Sequence, residues 1–123
     1  MTINRRRFLK TTAGTILAAP ALMNGALASN HGPIKFVSIL DQSGGLDIYG
    51  KPMVDATKMA IDEMNDGGGL LGRKIDLKVY DPQSSIQFYT QFATQATAGD
   101  RADVVHAGIT SASREAIRPT FSR

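Results

Sequence analysis

Short apolar runs alternate with longer amphipathic stretches along this chain, and that alternation limits its folds most. "IKFVSIL" at 34–40 mixes β-branched and aromatic residues and stops at Asp41-Gln42-Ser43-Gly44-Gly45, the pattern of a strand buried on both faces. After Gly50-Lys51-Pro52, Met53, Ala56, Ala60 and Met64 recur at helical spacing with Val54 and Ile61 beside them. Asp55, Lys58, Asp62 and Glu63 fill the other side, so the spacing predicts a helix with Pro52 in its first turn, a core-facing methionine stripe and an end near Asn65. "KIDLKVYD" at 74–81 alternates Ile75, Leu77 and Val79 with Asp76 and Lys78, which predicts a strand nearer a sheet edge. Asp81-Pro82 and Ser84-Ser85 supply a turn and N-cap for a glutamine-rich helix with Phe88, Phe92 and Ala96 on one face, closed by Gly99. "ADVVHAGI" at 102–109 predicts a third buried strand, and "TSASREAIRPTF" at 110–121 opens a helix on hydroxyl residues that Pro119 ends or kinks. Strand and helix alternate three times, so the fold class expected is α/β, with a parallel sheet and right-handed crossovers.

"GGGLLGRK" at 67–74 contains the letters G-x-G-x-x-G of a dinucleotide-binding turn. That motif works where a strand enters the glycines and a helix leaves them, because the helix N-terminus holds the pyrophosphate. Here a helix enters and a strand leaves, which puts the glycines at the wrong end of the sheet. The expectation is a helix-to-strand turn with Leu70 and Leu71 plugging the core, and no nucleotide cofactor.

The net charge of +3 belongs to the first thirty residues. Arg5, Arg6, Arg7 and Lys10 account for four of the 14 cations, and the 10 that remain face 11 acids. Nothing in that balance points to nucleic acid. Residues 1–28 have the layout of an export signal: a basic start, an uncharged stretch, and Ala26-Leu27-Ala28 before a cleavage point between Ala28 and Ser29. Arg5, Arg6, Phe8, Leu9 and Lys10 resemble the twin-arginine motif, with Asn4 as the departure from it. The resemblance implies the twin-arginine translocase as a partner during export. A membrane anchor is the competing reading, but Gly14, Pro20, Asn24 and Gly25 interrupt the stretch. With no cysteine, disulfides, thiolate metal sites and a lipid-bearing cysteine are excluded. The expected organisation is a signal peptide at 1–28, a polar lead-in at 29–33 and a folded part at 34–123, in a free periplasmic protein.

Ligands of such sheets gather at the carboxyl ends of the strands. Thr110-Ser111-Ala112-Ser113 offers hydroxyls and unpaired N–H groups there, suited to a carboxylate, an amide oxygen or a urea carbonyl. The same spacing also fits plain helix capping by Thr110 or Ser111. Catalysis is hard to assemble from the remainder. His31 lies in the lead-in, His106 sits in an apolar strand, and neither metal-ligand spacing nor a G-x-S-x-G elbow occurs. An exported enzyme is therefore the weakest reading, and no metal or cofactor is called for.

"IKFVSILDQSGGLDIYG", the block "AIDEMNDGGGLLGRKIDLKVYD" and "DVVHAGITSASREAIRP" together resemble the N-terminal part of ABC-transporter substrate-binding proteins. The branch is the leucine/isoleucine/valine-binding one, with the type I periplasmic-binding fold, and Thr110 to Ala116 look most like its urea and short-chain amide members. The resemblance implies a Rossmann-like lobe, a ligand cleft between two such lobes, a small polar solute (an amide, urea or a branched-chain amino acid) and a membrane permease as partner. It also implies that Thr110, Ser111 and Ser113 hold the polar head of the ligand, with Ser111 foremost, and that Tyr49, in the loop after the first strand, walls the cleft. Family members are several times longer, so the sequence is expected to be an incomplete lobe, with poor solubility and no measurable ligand affinity for residues 29–123 alone. A truncated remnant without binding activity and a ligand-sensing amide receptor of the same fold are the alternatives; the export signal argues against the second in its cytoplasmic form.

Overall fold

The computed structural model describes residues 32–122. The chain divides into two units, Met1–Asn30 and His31–Arg123, and all elements below belong to the second. The export motif of Arg5, Arg6, Phe8, Leu9 and Lys10 and the cleavage point at Ala28 and Ser29 lie outside the described residues.

The elements are β1 (Ile34–Ile39), α1 (Asp47–Asp66), β2 (Ile75–Tyr80), α2 (Ile86–Thr94), β3 (Val104–Ala107) and α3 (Ser111–Phe121). The strands form one parallel sheet in the order β2-β1-β3, with Ile34 opposite Ile75, Ile39 opposite Tyr80 and Phe36 opposite Val104. The α/β class and the parallel sheet are as the alternation predicts. Successive side chains of β1 point to opposite faces. Val37 and Ile39 pack with Tyr89, Ala93 and Ala96 from α2 and its extension and with Ile117 of α3. Ile34 packs on the other face with Ile75 and with Ile61 of α1, flanked by Phe36 and Leu77. Each such buried aliphatic side chain contributes about 1.5–3 kcal/mol.

Several expected faces are rotated. α1 starts at Asp47, so Pro52 lies inside the helix rather than in its first turn. Its buried residues are Gly50, Val54 and Ile61, whereas Met53, Ala56, Ala60 and Met64 are exposed. A stripe through residues 50, 54, 57, 61 and 65 mixes apolar residues with glycine, threonine and asparagine, and a search for hydrophobic residues misses it. α2 likewise turns Tyr89 and Ala93 inward and leaves Phe88 exposed. One π-helical turn, Gln95–Gly99, extends it and keeps Ala96 in the core. β3 is an edge strand in the described sheet, and Val104 is exposed rather than buried.

The glycine-rich turn does join a helix to a strand, but Leu70 and Leu71 do not plug the core. Leu70 and Arg73 form an isolated bridge and Leu71, at the apex with φ 53°, is 85% exposed. Gly69 makes the turn possible: its φ is +84° and a Cβ there would sit 2.1 Å from the Arg73 carbonyl oxygen. Asn65 then docks the end of α1 onto β2. Its side-chain oxygen accepts from Ile75 N–H at 2.8 Å, and its amide donates to Ile75 O at 2.9 Å. Asn65→Ala leaves both of these part-buried groups unpaired, and the expected loss is about 1–3 kcal/mol. Urea denaturation should show a lower midpoint at an unchanged m-value.

Candidate ligand-binding site

The carboxyl ends of the three strands carry loops 40–46, 81–85 and 108–110, which form one crest. Two acids fasten the first two loops to each other. Asp81, just past β2, accepts from Gln42 N–H at 2.9 Å, Ser43 N–H at 3.3 Å and the Ser43 hydroxyl at 2.7 Å. Asp41, just past β1, reaches the other way. It is fully buried and accepts from the backbone N–H of Ser84 and, at 2.8 Å, from the Tyr89 hydroxyl. Gln83 and Ser84 stand at φ 54° and 58°, a left-handed conformation that costs non-glycine residues about 1 kcal/mol or more each. The acids offset that strain, since Gln83 N–H donates to Asp81 at 3.0 Å, Ser84 N–H to Asp41, and Leu46 N–H to the Ser84 hydroxyl at 3.0 Å.

Burial pushes the Asp81 carboxyl up, but the Ser43 hydroxyl and the N–H groups of Gln42, Gln83 and Ser43 outweigh it, so its pKa falls below the ordinary carboxylate value. A depressed folded-state pKa contributes stability that is present above the unfolded value of about 4 and lost as pH falls through the folded one. Thermal melts of the wild type should therefore drop on acidification below about pH 4. Asp81→Asn should show a lower melting temperature at neutral pH and a flatter drop.

The third loop begins α3. Thr110 is its N-cap: the Thr110 side-chain oxygen accepts from Ser113 N–H at 3.1 Å, and the Ser113 hydroxyl accepts from Thr110 N–H at 3.1 Å and donates to Thr110 O at 2.9 Å. This reciprocal capping box occupies both side chains, and Ser113 is 1% exposed. Ser111 differs. Its hydroxyl is exposed, with the Arg114 guanidinium 3.4 Å away. The N–H groups of Ser111 and Ala112 find no acceptor among the described residues, as the first turn of a helix requires. Of the three hydroxyl residues, the structure keeps Thr110 and Ser113 in the cap and turns Ser111 outward. Tyr49 stands in the first turn of α1 rather than in the loop before it, and its ring is 56% exposed. His106 is a packed residue: its Nδ1 lies 3.4 Å from the Thr57 hydroxyl and its ring meets Phe36 edge-on at 6.4 Å.

Asp41, Asp81 and Tyr89 are the crest residues that pattern reading passes over. The available signal was an aspartate directly after each of two apolar strands, where a charge is buried only if partners wait for it. Among the described residues no cluster of His, Asp or Glu could hold a metal ion. A concavity of about 670 Å³ is lined by the outer face of α2 and its extension. It does not include the crest hydroxyls.

Residues 33–123 match the model of the family described as periplasmic binding protein. No curated protein matches. The fold is similar to that of part of the branched-chain amino acid transporter substrate-binding protein LivJ from Streptococcus pneumoniae in complex with isoleucine (24% identity, TM-score 0.71, 73% of this chain and 26% of that one). A branched-chain amino acid transporter protein from Rhodopseudomonas palustris is 27% identical, with TM-score 0.65 over 71% of this chain and 24% of its own. A fatty acid ABC transporter substrate-binding protein from Thermomonospora curvata is 23% identical, with TM-score 0.66 over 73% of this chain and 23% of its own. This chain thus spans about a quarter of the length of these structures. With about three-quarters of its length matched and a sheet of the same architecture, the chain belongs to the periplasmic binding protein family.

Proposed function

We propose that this chain supplies one wall of the solute site of an exported ABC-importer binding protein, which binds without catalysing a reaction. The polar head of a small solute, a carboxylate or an amide or urea oxygen, accepts from the Ser111 hydroxyl and from the free N–H groups of Ser111 and Ala112. The observation that carries the reading is the division of labour in the cap. Thr110 and Ser113 are occupied with each other, so their contribution is to fix the first turn of α3, and Ser111 is left to face a ligand. The partial positive charge of the helix start favours an anionic or strongly dipolar head. Tyr49 contributes an aromatic wall from α1.

The family match and the isoleucine complex of a similar fold support a branched-chain amino acid as one member of the solute class. The sequence around Thr110 to Ala116 supports an amide or urea as the other. The two differ in an ammonium group, so a panel of L-isoleucine, acetamide and urea separates them. In this account residues 1–28 direct export through the twin-arginine translocase, the mature protein starts at Ser29 in the periplasm, and a membrane permease receives the solute. The protein recovered from the periplasm of the source cells should begin at Ser29 by intact mass and bind one member of the panel by isothermal titration. A protein that keeps its leader in the cytoplasm, or that binds none of the three, contradicts the proposal.

A further inference from the structure

The Tyr89 hydroxyl is a meeting point that the solute reading does not use. Tyr89 belongs to α2, is 1% exposed, and donates to Asp41 at 2.8 Å. Its ring lies in the same core cluster as Ile117 of α3, the helix that the Thr110 cap starts. One side chain therefore bonds the residue that leaves β1 and shares its core with the helix that the third loop starts. Through Asp41 it is coupled as well to Ser84, the strained residue that leaves β2. Burial, and then the Asp41 carboxylate, push the Tyr89 hydroxyl well above the ordinary phenol range, so it stays a donor throughout the neutral range.

We infer that Tyr89 and Asp41 form the positioning element of this site, a buried pair that holds the three crest loops in register and thereby sets where the first turn of α3 presents Ser111. Neither residue touches the solute. The inference deepens the reading proposed above and rests on it for the ligand, but the geometric claim stands without one. A phenylalanine at position 89 fills the same space and removes one oxygen. The Asp41 carboxylate then keeps Ser84 N–H alone. A buried group left unpaired in this way weakens the local structure by a factor of about ten.

The test is amide hydrogen exchange and amide chemical shifts of the ligand-free chain in three forms: wild type, Tyr89→Phe, and Ile61→Val as a control at the opposite face of the sheet. Tyr89→Phe is expected to speed exchange at Ser84 about tenfold more than Ile61→Val does. It should also move the Ser111 and Ala112 amide resonances, which Ile61→Val leaves in place. Equal effects from the two variants, or unmoved Ser84 and Ser111 amides in Tyr89→Phe, overturn the inference. Should Tyr89→Phe fail to fold, Asp41→Asn provides the second readout. Removing the charge while keeping an acceptor should speed exchange at Ser84 and move the Ser111 amide resonance, and unmoved Ser84 and Ser111 amides overturn the coupling. Adding L-isoleucine, acetamide and urea to the mature protein recovered from the periplasm separates the two claims, since silence at Ser111 with all three counts against the solute reading while the exchange result decides the positioning one.

Discussion

Replacing Gly50 with alanine is expected to cost about 3 kcal/mol or more, and to lower the melting temperature on the order of 15 °C. Gly50 is buried in the second turn of α1, and a Cβ there would lie 1.8 Å from the Asp41 carbonyl oxygen, 2.7 Å from its carbon and 2.8 Å from its nitrogen. All three atoms are backbone, so no rotamer change relieves the overlap. Either α1 lifts from the sheet, which uncovers Ile61 and Val54, or the end of β1 moves and pulls Asp41 from Ser84 and Tyr89. Gly45 is the internal control. A Cβ at that position meets nothing within 4 Å, so Gly45→Ala should be within about 1 kcal/mol of the wild type, with reduced freedom of the unfolded chain favouring it. Thermal melts of the two variants side by side check the claim, and equal melting temperatures would refute it.

Asp41→Ala is expected to be the second large loss, about 3 kcal/mol. It deletes an acceptor of zero exposure and leaves two donors, the Ser84 N–H and the Tyr89 hydroxyl, without it. Each buried unsatisfied donor costs about 1–3 kcal/mol. Asp41→Asn keeps an acceptor in the same place and should cost less than half as much, a difference that chemical denaturation resolves. If alanine and asparagine prove equally mild, the carboxylate contributes little to the crest and the reciprocal clamp of Asp41 and Asp81 is not what holds loops 40–46 and 81–85 together.

The order of elements was legible because it depends on where apolar residues cluster, and "IKFVSIL" or "ADVVHAGI" cannot be hidden by context. The faces were harder to read. α1 buries Gly50, Val54 and Ile61 with Thr57 and Asn65 half-buried in the same stripe. Gly50 is there because its backbone approaches β1, and Asn65 because its amide completes Ile75. Neither reason registers as hydrophobicity, so the methionine stripe looked like the core and is in fact exposed. Leu70 and Leu71 misled in the same way, since a tight turn closed by Gly69 leaves them outside whatever their apolarity. At the site, hydroxyl residues before a helix pointed to Thr110, Ser111 and Ser113, but only geometry separates the two that cap from the one that faces outward. Asp41, Asp81 and Tyr89 were not legible as a unit, because their partners lie 38 to 48 residues away along the chain.

The most direct test of the central claim is a titration of the isotopically labelled chain with L-isoleucine, acetamide and urea to millimolar levels, read at the Ser111 and Ala112 amides, in the wild type and in Ser111→Ala. The protein used is the mature protein recovered from the periplasm of the source cells, because residues 29–123 alone are expected to show no measurable affinity. The account predicts saturating shifts at those two amides with one of the solutes, and a loss of about 1–2 kcal/mol of affinity, about tenfold, in Ser111→Ala with the fold intact. Shifts centred elsewhere, or equal affinity in the two proteins, would contradict it.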